Sequence, residues 1–186
     1  MPRIYTKTGD DGTTALYFGG RMRKDDPPPR AYGAVDEAQA ALGVVRAFTD
    51  SDELAELMVE LERGLYVAMA ELATLPANRP KLKAGVTLVG PDMVEALESH
   101  IDRYSAKFAF PSEFVLPGGT PVAALLDVAR TTTRRAERES LAVVAADSEV
   151  GKYLNRLSDL LWVLARWQEG EPVTSRAPKE APNENE

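Results

Sequence analysis

The stretch Val122-Ala-Ala-Leu-Leu-Asp-Val-Ala-Arg-Thr-Thr-Thr-Arg-Arg-Ala-Glu-Arg138 decides how this chain is read. Its apolar residues recur at helical spacing, and Thr120-Pro121 just before it is a cap followed by a first-turn residue, so the segment predicts a helix. Arg130, Arg134, Arg135, Glu137 and Arg138 crowd into nine residues of it. On a helix Arg130, Arg134, Glu137 and Arg138 share one face, being separated by four, seven and eight positions. That spacing usually belongs to an apolar stripe. Guanidinium groups placed there fit either a polyanion or an ion-pair network at a subunit contact, because the planar fork pairs with phosphate and with carboxylate alike. A solvated face with its own intrahelical pairs is the plainer alternative.

Working outward, four more helices are predicted. One follows the Pro27–Pro29 run, from about Ala31 to Phe48, since three prolines are expected to break a helix. Ser51 is a cap for the next, where Leu54, Leu57, Met58, Leu61, Leu65 and Leu72 repeat at helical spacing. Pro91 opens a third helix, to about Phe108. The last runs from about Val150 to Gln168, with Leu154, Leu157, Leu160, Leu161 and Leu164 on its core face. Residues 6–21 read as loop with a short extended piece near Thr14–Phe18. Five helices without a convincing run of strands predict an all-α, up-and-down five-helix bundle over residues 1–168. From residue 169 the chain is acidic and lacks apolar anchors, and is expected to be disordered unless a partner pins it.

Composition narrows the chemistry. The chain has 186 residues, no cysteine and one histidine, His100. Thiolate metal sites, disulfides, cysteine nucleophiles and multi-histidine metal centres are therefore excluded. The N-terminus has no signal core and no apolar run approaches bilayer length, so the chain reads as cytoplasmic, with no membrane partner. Net charge is −7, but residues 1–35 carry +2 and residues 169–186 carry −3. Positive charge this local suits a small anionic ligand better than nucleic acid.

Three other pieces carry polar chemistry. The Thr6–Thr14 loop combines Gly9 and Gly12 with Thr6, Thr8, Thr13, Thr14 and Lys7, a composition that can wrap an anion but lacks the ending of a Walker A loop. Taken alone it reads rather as an ordinary glycine turn, since short Gly-rich motifs recur by chance. Asp36 and Glu37 lie near a helix start, where they favour the dipole, or Asp36 pairs with an arginine across a subunit contact. Asn155 sits among leucines and needs a partner, either a helix end or a ligand. Phe114 reads most simply as a core or loop-anchoring aromatic, and His100 as a surface residue.

Taken together and in order, TKTGDDGTT (6–14), Lys24, AYGAVDE (31–37), FVLPGG (114–119), ARTTTRRAERE (129–139) and YLNRLSD (153–159) resemble the ATP:cob(I)alamin adenosyltransferases of the propanediol-utilisation type. The resemblance implies a ferritin-like homotrimer of five-helix bundles with active sites between subunits. It implies transfer of the adenosyl group of ATP to the cobalt of cob(I)alamin, with release of triphosphate. Residues 1–30 would form a nucleotide-binding region. Thr6, Lys7, Thr8, Gly9, Thr14 and Lys24 would hold the triphosphate, whose phosphates would carry Mg2+. Arg134, Arg135, Glu137, Arg138 and Asn155 would complete the ATP site, with Arg130 near it. Asp36 would pair with Arg134 of a neighbouring subunit. Phe114 would press on the lower corrin face and keep the cobalt free of a lower ligand, easing its reduction. A reductase or a cobalamin-dependent acceptor enzyme is the implied protein partner. The family often has histidine at the position of Asp127, and this departure is expected to tune the site. A non-catalytic ATP-binding trimer acting as a nucleotide sensor, and a trimer whose arginines serve only the interface, are the competing readings.

Overall fold

The computed structural model describes residues 4–176. Five α-helices dominate it: α1 (Pro27–Phe48), α2 (Asp52–Leu72), α3 (Pro91–Ser105), α4 (Pro121–Ser140) and α5 (Val150–Glu169). Ahead of them β1 (Thr13–Ala15) and β2 (Arg21–Arg23) pair antiparallel, Thr14 opposite Met22. A 3-10 turn at Pro76–Lys81 follows α2.

Local chemistry sets the helix starts. The Ser51 hydroxyl accepts a hydrogen bond from Leu54 N at 3.3 Å, and the Thr120 hydroxyl accepts from Ala123 N at 3.1 Å. Each satisfies one of the amides that a helix N-terminus leaves unpaired. The proline run departs from expectation. Pro27, Pro28 and Pro29 lie inside α1 rather than before it. They occupy its first turn, where no amide has an intrahelical partner to lose, and the ladder begins with Arg30 N donating to Asp26 O at 3.2 Å. At the other end α3 stops at Ser105, three residues short of the predicted limit.

α4 packs against both α1 and α5, α1 against α2, and α3 against α5. Leu54, Leu61 and Leu65 of α2 and all five predicted core leucines of α5 are essentially inaccessible. Each such side chain contributes roughly 1.5–3 kcal/mol by leaving water. Gly64 lets α2 approach α5, because a Cβ there would overlap the Tyr153 hydroxyl.

α1 is apolar on more than its core side. Val44 and Phe48 are exposed, beside exposed Gly33, Ala40 and Ala47. A helix apolar all round is normally covered on every side. On α4, exposed Val128 and Leu141 flank Arg134 and Arg138.

The segment after α5 is not the unanchored tail expected of it. Leu116 N donates to Val173 O at 2.8 Å and Ser175 N to Phe114 O at 2.7 Å. These bonds make a short antiparallel bridge between the segment and the Phe114 loop. Residues 177–186 lie outside the described part. Among the described residues no helix is long and apolar enough to cross a membrane.

Candidate active site

The N-terminal hairpin organises the first group of site residues. Lys24 folds back on the Thr6–Thr14 loop, its Nζ donating to Gly9 O at 2.8 Å and its backbone N to Gly12 O at 2.9 Å. Arg21, which the sequence did not single out, donates to Thr8 O and through Nε to Thr13 Oγ1 at 3.0 Å. Asp11 accepts from Thr13 Oγ1 at 2.7 Å and Thr13 N at 2.9 Å, and these bonds hold its carboxyl below the usual carboxylate range. Thr6 and Thr8 share a hydroxyl–hydroxyl bond at 2.9 Å. Lys7 holds a left-handed backbone, φ 60°, an uncommon conformation for a residue with a side chain. Thr14 is half-buried in β1. The loop thus presents hydroxyls and ammonium groups, which suit an anion rather than a bare cation. Among the described residues no cluster of three or more His, Asp or Glu could hold a metal.

The second group lies on α4 and α5. Arg134 and Arg138 are exposed, and Arg138 Nη1 donates to Arg134 O at 3.1 Å. The Arg134 guanidinium has no partner among the described residues. Arg135 pairs with Glu37 of α1, so the acid that reaches α4 within the chain is Glu37. Asp36 stays exposed on the apolar outer side of α1 and meets no arginine within the described residues. Glu137 Oε1 accepts from Asn155 Nδ2 at 3.2 Å, and Asn155 Oδ1 accepts from Arg156 Nη1 at 2.9 Å. Asn155 therefore ties α4 to α5 instead of capping a helix.

A third group surrounds a cleft of about 550 Å³, lined by Phe114, Asp127, Arg130, Trp162 and Arg166 among others. Phe114 is 86% exposed on its rim, so it anchors no core, contrary to the plainer expectation. The loop that carries it turns through Gly118, at φ 117°, and Gly119. Asp127 pairs with Arg130, whose Nε donates to Asp127 Oδ1 at 2.8 Å. Sequence reasoning missed two further members. Arg166 Nη2 donates to Asp127 Oδ2 at 2.6 Å, and Arg166 Nε lies 2.7 Å from Glu169 Oε2. Arg166 was not singled out in the sequence, where its position next to core leucines was the available signal. Trp162 lines the same cleft and stacks on Phe110 at 5.8 Å. His100, read from the sequence as a surface residue, is half-buried on α3, and its Nε2 lies 3.2 Å from Glu60 Oε1.

The three groups do not close on one another within the chain. Among the described residues no hydrogen bond or ion pair joins residues 6–14 to α4, or Asp36 to Arg130 or Arg134.

Comparison with known proteins identifies the family of the chain. The family model described as cobalamin adenosyltransferase matches residues 4–168. A corrinoid adenosyltransferase of Citrobacter freundii is 43% identical over 175 residues, covering 92% of this chain and 98% of that protein. One from Mycobacterium tuberculosis is 42% identical, covering 89% and 88%. Among solved structures, a phenylalanine-to-histidine variant of the PduO-type ATP:corrinoid adenosyltransferase from Lactobacillus reuteri, complexed with cobalamin and ATP, superposes with a TM-score of 0.81 at 34% identity, covering 89% of this chain and 90% of that one. With a match over nearly all its helices and relatives this similar, the chain belongs to the cobalamin adenosyltransferase family.

Proposed function

We propose that this protein transfers the 5′-deoxyadenosyl group of ATP to the cobalt of cob(I)alamin, giving adenosylcobalamin and triphosphate. The observation that carries this reading is the pairing of two unlike surfaces in one small chain. One is a hydroxyl- and lysine-lined loop fit for phosphates, and the other a wide cleft with an exposed aromatic on its rim. The similar Lactobacillus reuteri structures hold cobalamin and ATP, which agrees with that division.

In this mechanism cobalt is the nucleophile, so the protein needs no general base. The Co–C5′ bond forms as the C5′–O bond to triphosphate breaks. Thr6, Lys7, Thr8, Gly9, Thr14 and Lys24 hold the triphosphate, and Mg2+ bound with it would help neutralise the charge of the leaving group. Arg134, Arg135, Glu137, Arg138 and Asn155 complete the ATP site, and fixed cations there stabilise the charge developing on the leaving group. Arg130 faces the corrin cleft. Phe114 covers the lower corrin face and denies cobalt a lower ligand. Positioning of C5′ against cobalt supplies the rest of the acceleration.

The working unit in this reading is a homotrimer of up-and-down five-helix bundles in the cytoplasm. Its support is the apolar outer side of α1 around Asp36 and the exposed Arg134, without a partner among the described residues and flanked by Val128 and Leu141. An Asp36–Arg134 pair between subunits would join the half-sites that one chain leaves apart. A reductase or a cobalamin-dependent acceptor enzyme is the partner this chemistry requires.

An anaerobic assay with ATP, Mg2+ and chemically reduced cobalamin tests the reaction, with formation of the cobalt–carbon product followed by absorbance. ATP binding without product would favour a nucleotide sensor. No ATP binding would leave only a structural trimer.

A further inference from the structure

A chain of four alternating charges runs beneath the cleft. Arg130 Nε bonds Asp127 Oδ1 at 2.8 Å, Asp127 Oδ2 bonds Arg166 Nη2 at 2.6 Å, and Arg166 Nε lies 2.7 Å from Glu169 Oε2. The other Glu169 oxygen, Oε1, accepts from Gly119 N at 3.3 Å. The side chains of Asp127, Arg166 and Glu169 are only 5%, 4% and 1% exposed, while Arg130 is 24% exposed and reaches the cleft. The two ends of this chain are therefore the cleft arginine on α4 and the loop that carries Phe114.

Stability alone gives little reason for such an arrangement. Each buried ion loses several kcal/mol of hydration, and apolar side chains of similar volume commonly do as well. What an ionic chain adds over apolar packing is direction at its two hydrogen-bonded links, Arg130–Asp127 and Asp127–Arg166, whereas the Arg166 Nε–Glu169 Oε2 contact is ionic without a hydrogen bond. The fit at the loop end is close. A Cβ on Gly119 would lie 3.1 Å from Glu169 O and overlap the Glu169 side chain. At the cleft wall, the Arg166 guanidinium sits 5.8 Å from the centre of the Trp162 ring. Among the described residues Arg166 is the one cation that pairs with both Asp127 and Glu169. Without it Asp127 would keep only Arg130, and Glu169 only the Gly119 amide.

We propose that Arg166 is a positioning residue for the cobalamin half of the reaction: with Asp127 and Glu169 it fixes Arg130 and the Phe114 loop at a set separation across the corrin cleft. This rests on the adenosyl-transfer reading. It assigns a role to residues that never touch ATP, so its signature is selective.

The test uses the full chain with Arg166→Lys and Glu169→Gln. Lysine keeps the charge but cannot span two carboxylates with a planar fork. Glutamine keeps the shape and one oxygen acceptor but ends the charge chain. Thermal melting reports folding, calorimetry reports ATP affinity, and steady-state kinetics separate the KM for cobalamin from kcat. Electron paramagnetic resonance of cob(II)alamin with ATP present reports the four-coordinate fraction. We expect both variants to fold and to bind ATP within about twofold of wild type. Their kcat/KM for cobalamin should fall by as much as ~100-fold, the scale of small misplacements remote from the chemistry. The four-coordinate fraction should fall with it. Should Arg166→Lys fail to fold, Glu169→Gln decides alone, being nearly isosteric. A folded variant with unchanged cobalamin kinetics and an unchanged four-coordinate fraction overturns the proposal, as does an equal loss of ATP affinity. A wild type without turnover overturns the adenosyl-transfer reading, and this inference with it, whereas an active wild type beside unaffected variants overturns the inference alone.

Discussion

Gly64 of α2 and Tyr153 of α5 are in such close register that a single methyl on the glycine would collide with the phenol oxygen. Tyr153 is 3% exposed and cannot swing into solvent, and burial pushes its ionisation up. In an ordinary helix interior Gly→Ala stabilises by about 1 kcal/mol. Here the sign reverses. Gly64→Ala should lower stability by roughly 1–3 kcal/mol, the usual range for an overpacked core. Chemical denaturation measures this, and Tyr153→Phe in the Gly64→Ala background should restore part of the loss.

Lys7→Ala should weaken ATP binding by roughly 1–3 kcal/mol, the worth of a hydrogen bond to a charged group. Lys24 and Arg21 already hold the loop by bonding Gly9 O, Thr8 O and Thr13 Oγ1, so removing Lys7 takes away charge without unfolding the hairpin. Titration calorimetry with ATP and Mg2+ is the measurement, and an unchanged Kd would remove Lys7 from the triphosphate site.

Asp36→Ala should impair both activity and assembly. Asp36 lies on an exposed apolar face and forms no ion pair among the described residues, which is the setting of one half of an intersubunit pair. Stranding the partner of a desolvated ion pair costs about 3–5 kcal/mol. Light scattering should find wild type as a trimer and the variant shifted toward smaller species. A monomeric wild type at working concentrations would dismiss the pair.

Which of these features were visible in the sequence follows from how local their causes are. Ser51 and Thr120 announced their helices because a cap acts within three residues. The leucines of α2 and α5 announced a core because periodicity is local too. The Pro27–Pro29 run misled because proline's effect depends on whether it falls in the first turn or later, and only the tertiary start of α1 decides that. The Arg166–Glu169 pair was invisible for a different reason. Their meaning comes from Asp127 of α4, 39 positions before Arg166, and from Gly119. The same holds for Glu37, whose contact with Arg135 spans 98 positions. Nothing local distinguished it from its neighbour Asp36.

Phe114→Ala should leave folding and ATP binding intact, because the side chain is 86% exposed and packs into no core. Its effect should appear in the cobalt chemistry. Turnover from cob(II)alamin with a weak reductant should fall more than turnover from pre-reduced cob(I)alamin, and the four-coordinate cob(II)alamin signal should shrink. Equal losses from both starting states, with the Co(II) spectrum unaltered, would assign Phe114 another task.

Tyr104 gives an alkaline limit. Burial, and then the hydrogen bond its hydroxyl donates to Glu53 at 3.0 Å, push its pKa up to about 12. A tyrosine in the unfolded chain ionises near 10. The folded state therefore holds its proton longer, and the stabilising contribution is complete below about pH 10 and lost as pH rises toward 12. The stability gap between wild type and Tyr104→Phe in urea unfolding should narrow across that window. A gap independent of pH would contradict the assignment.

The bridge between residues 114–116 and 173–175 has a consequence for the order in which the molecule comes apart. It consists of two backbone bonds joining segments nearly sixty residues distant in sequence, and the Phe114 side chain beside it is exposed. Little apolar surface is released when such a bridge opens, so its opening free energy falls far below that of the helices. Amide hydrogens of Leu116 and Ser175 should exchange with solvent deuterium well before those of Leu157 or Leu161. The Phe114 end of the loop can then open and re-form around a large planar molecule while Gly119 stays bonded to Glu169 and the helices stay intact.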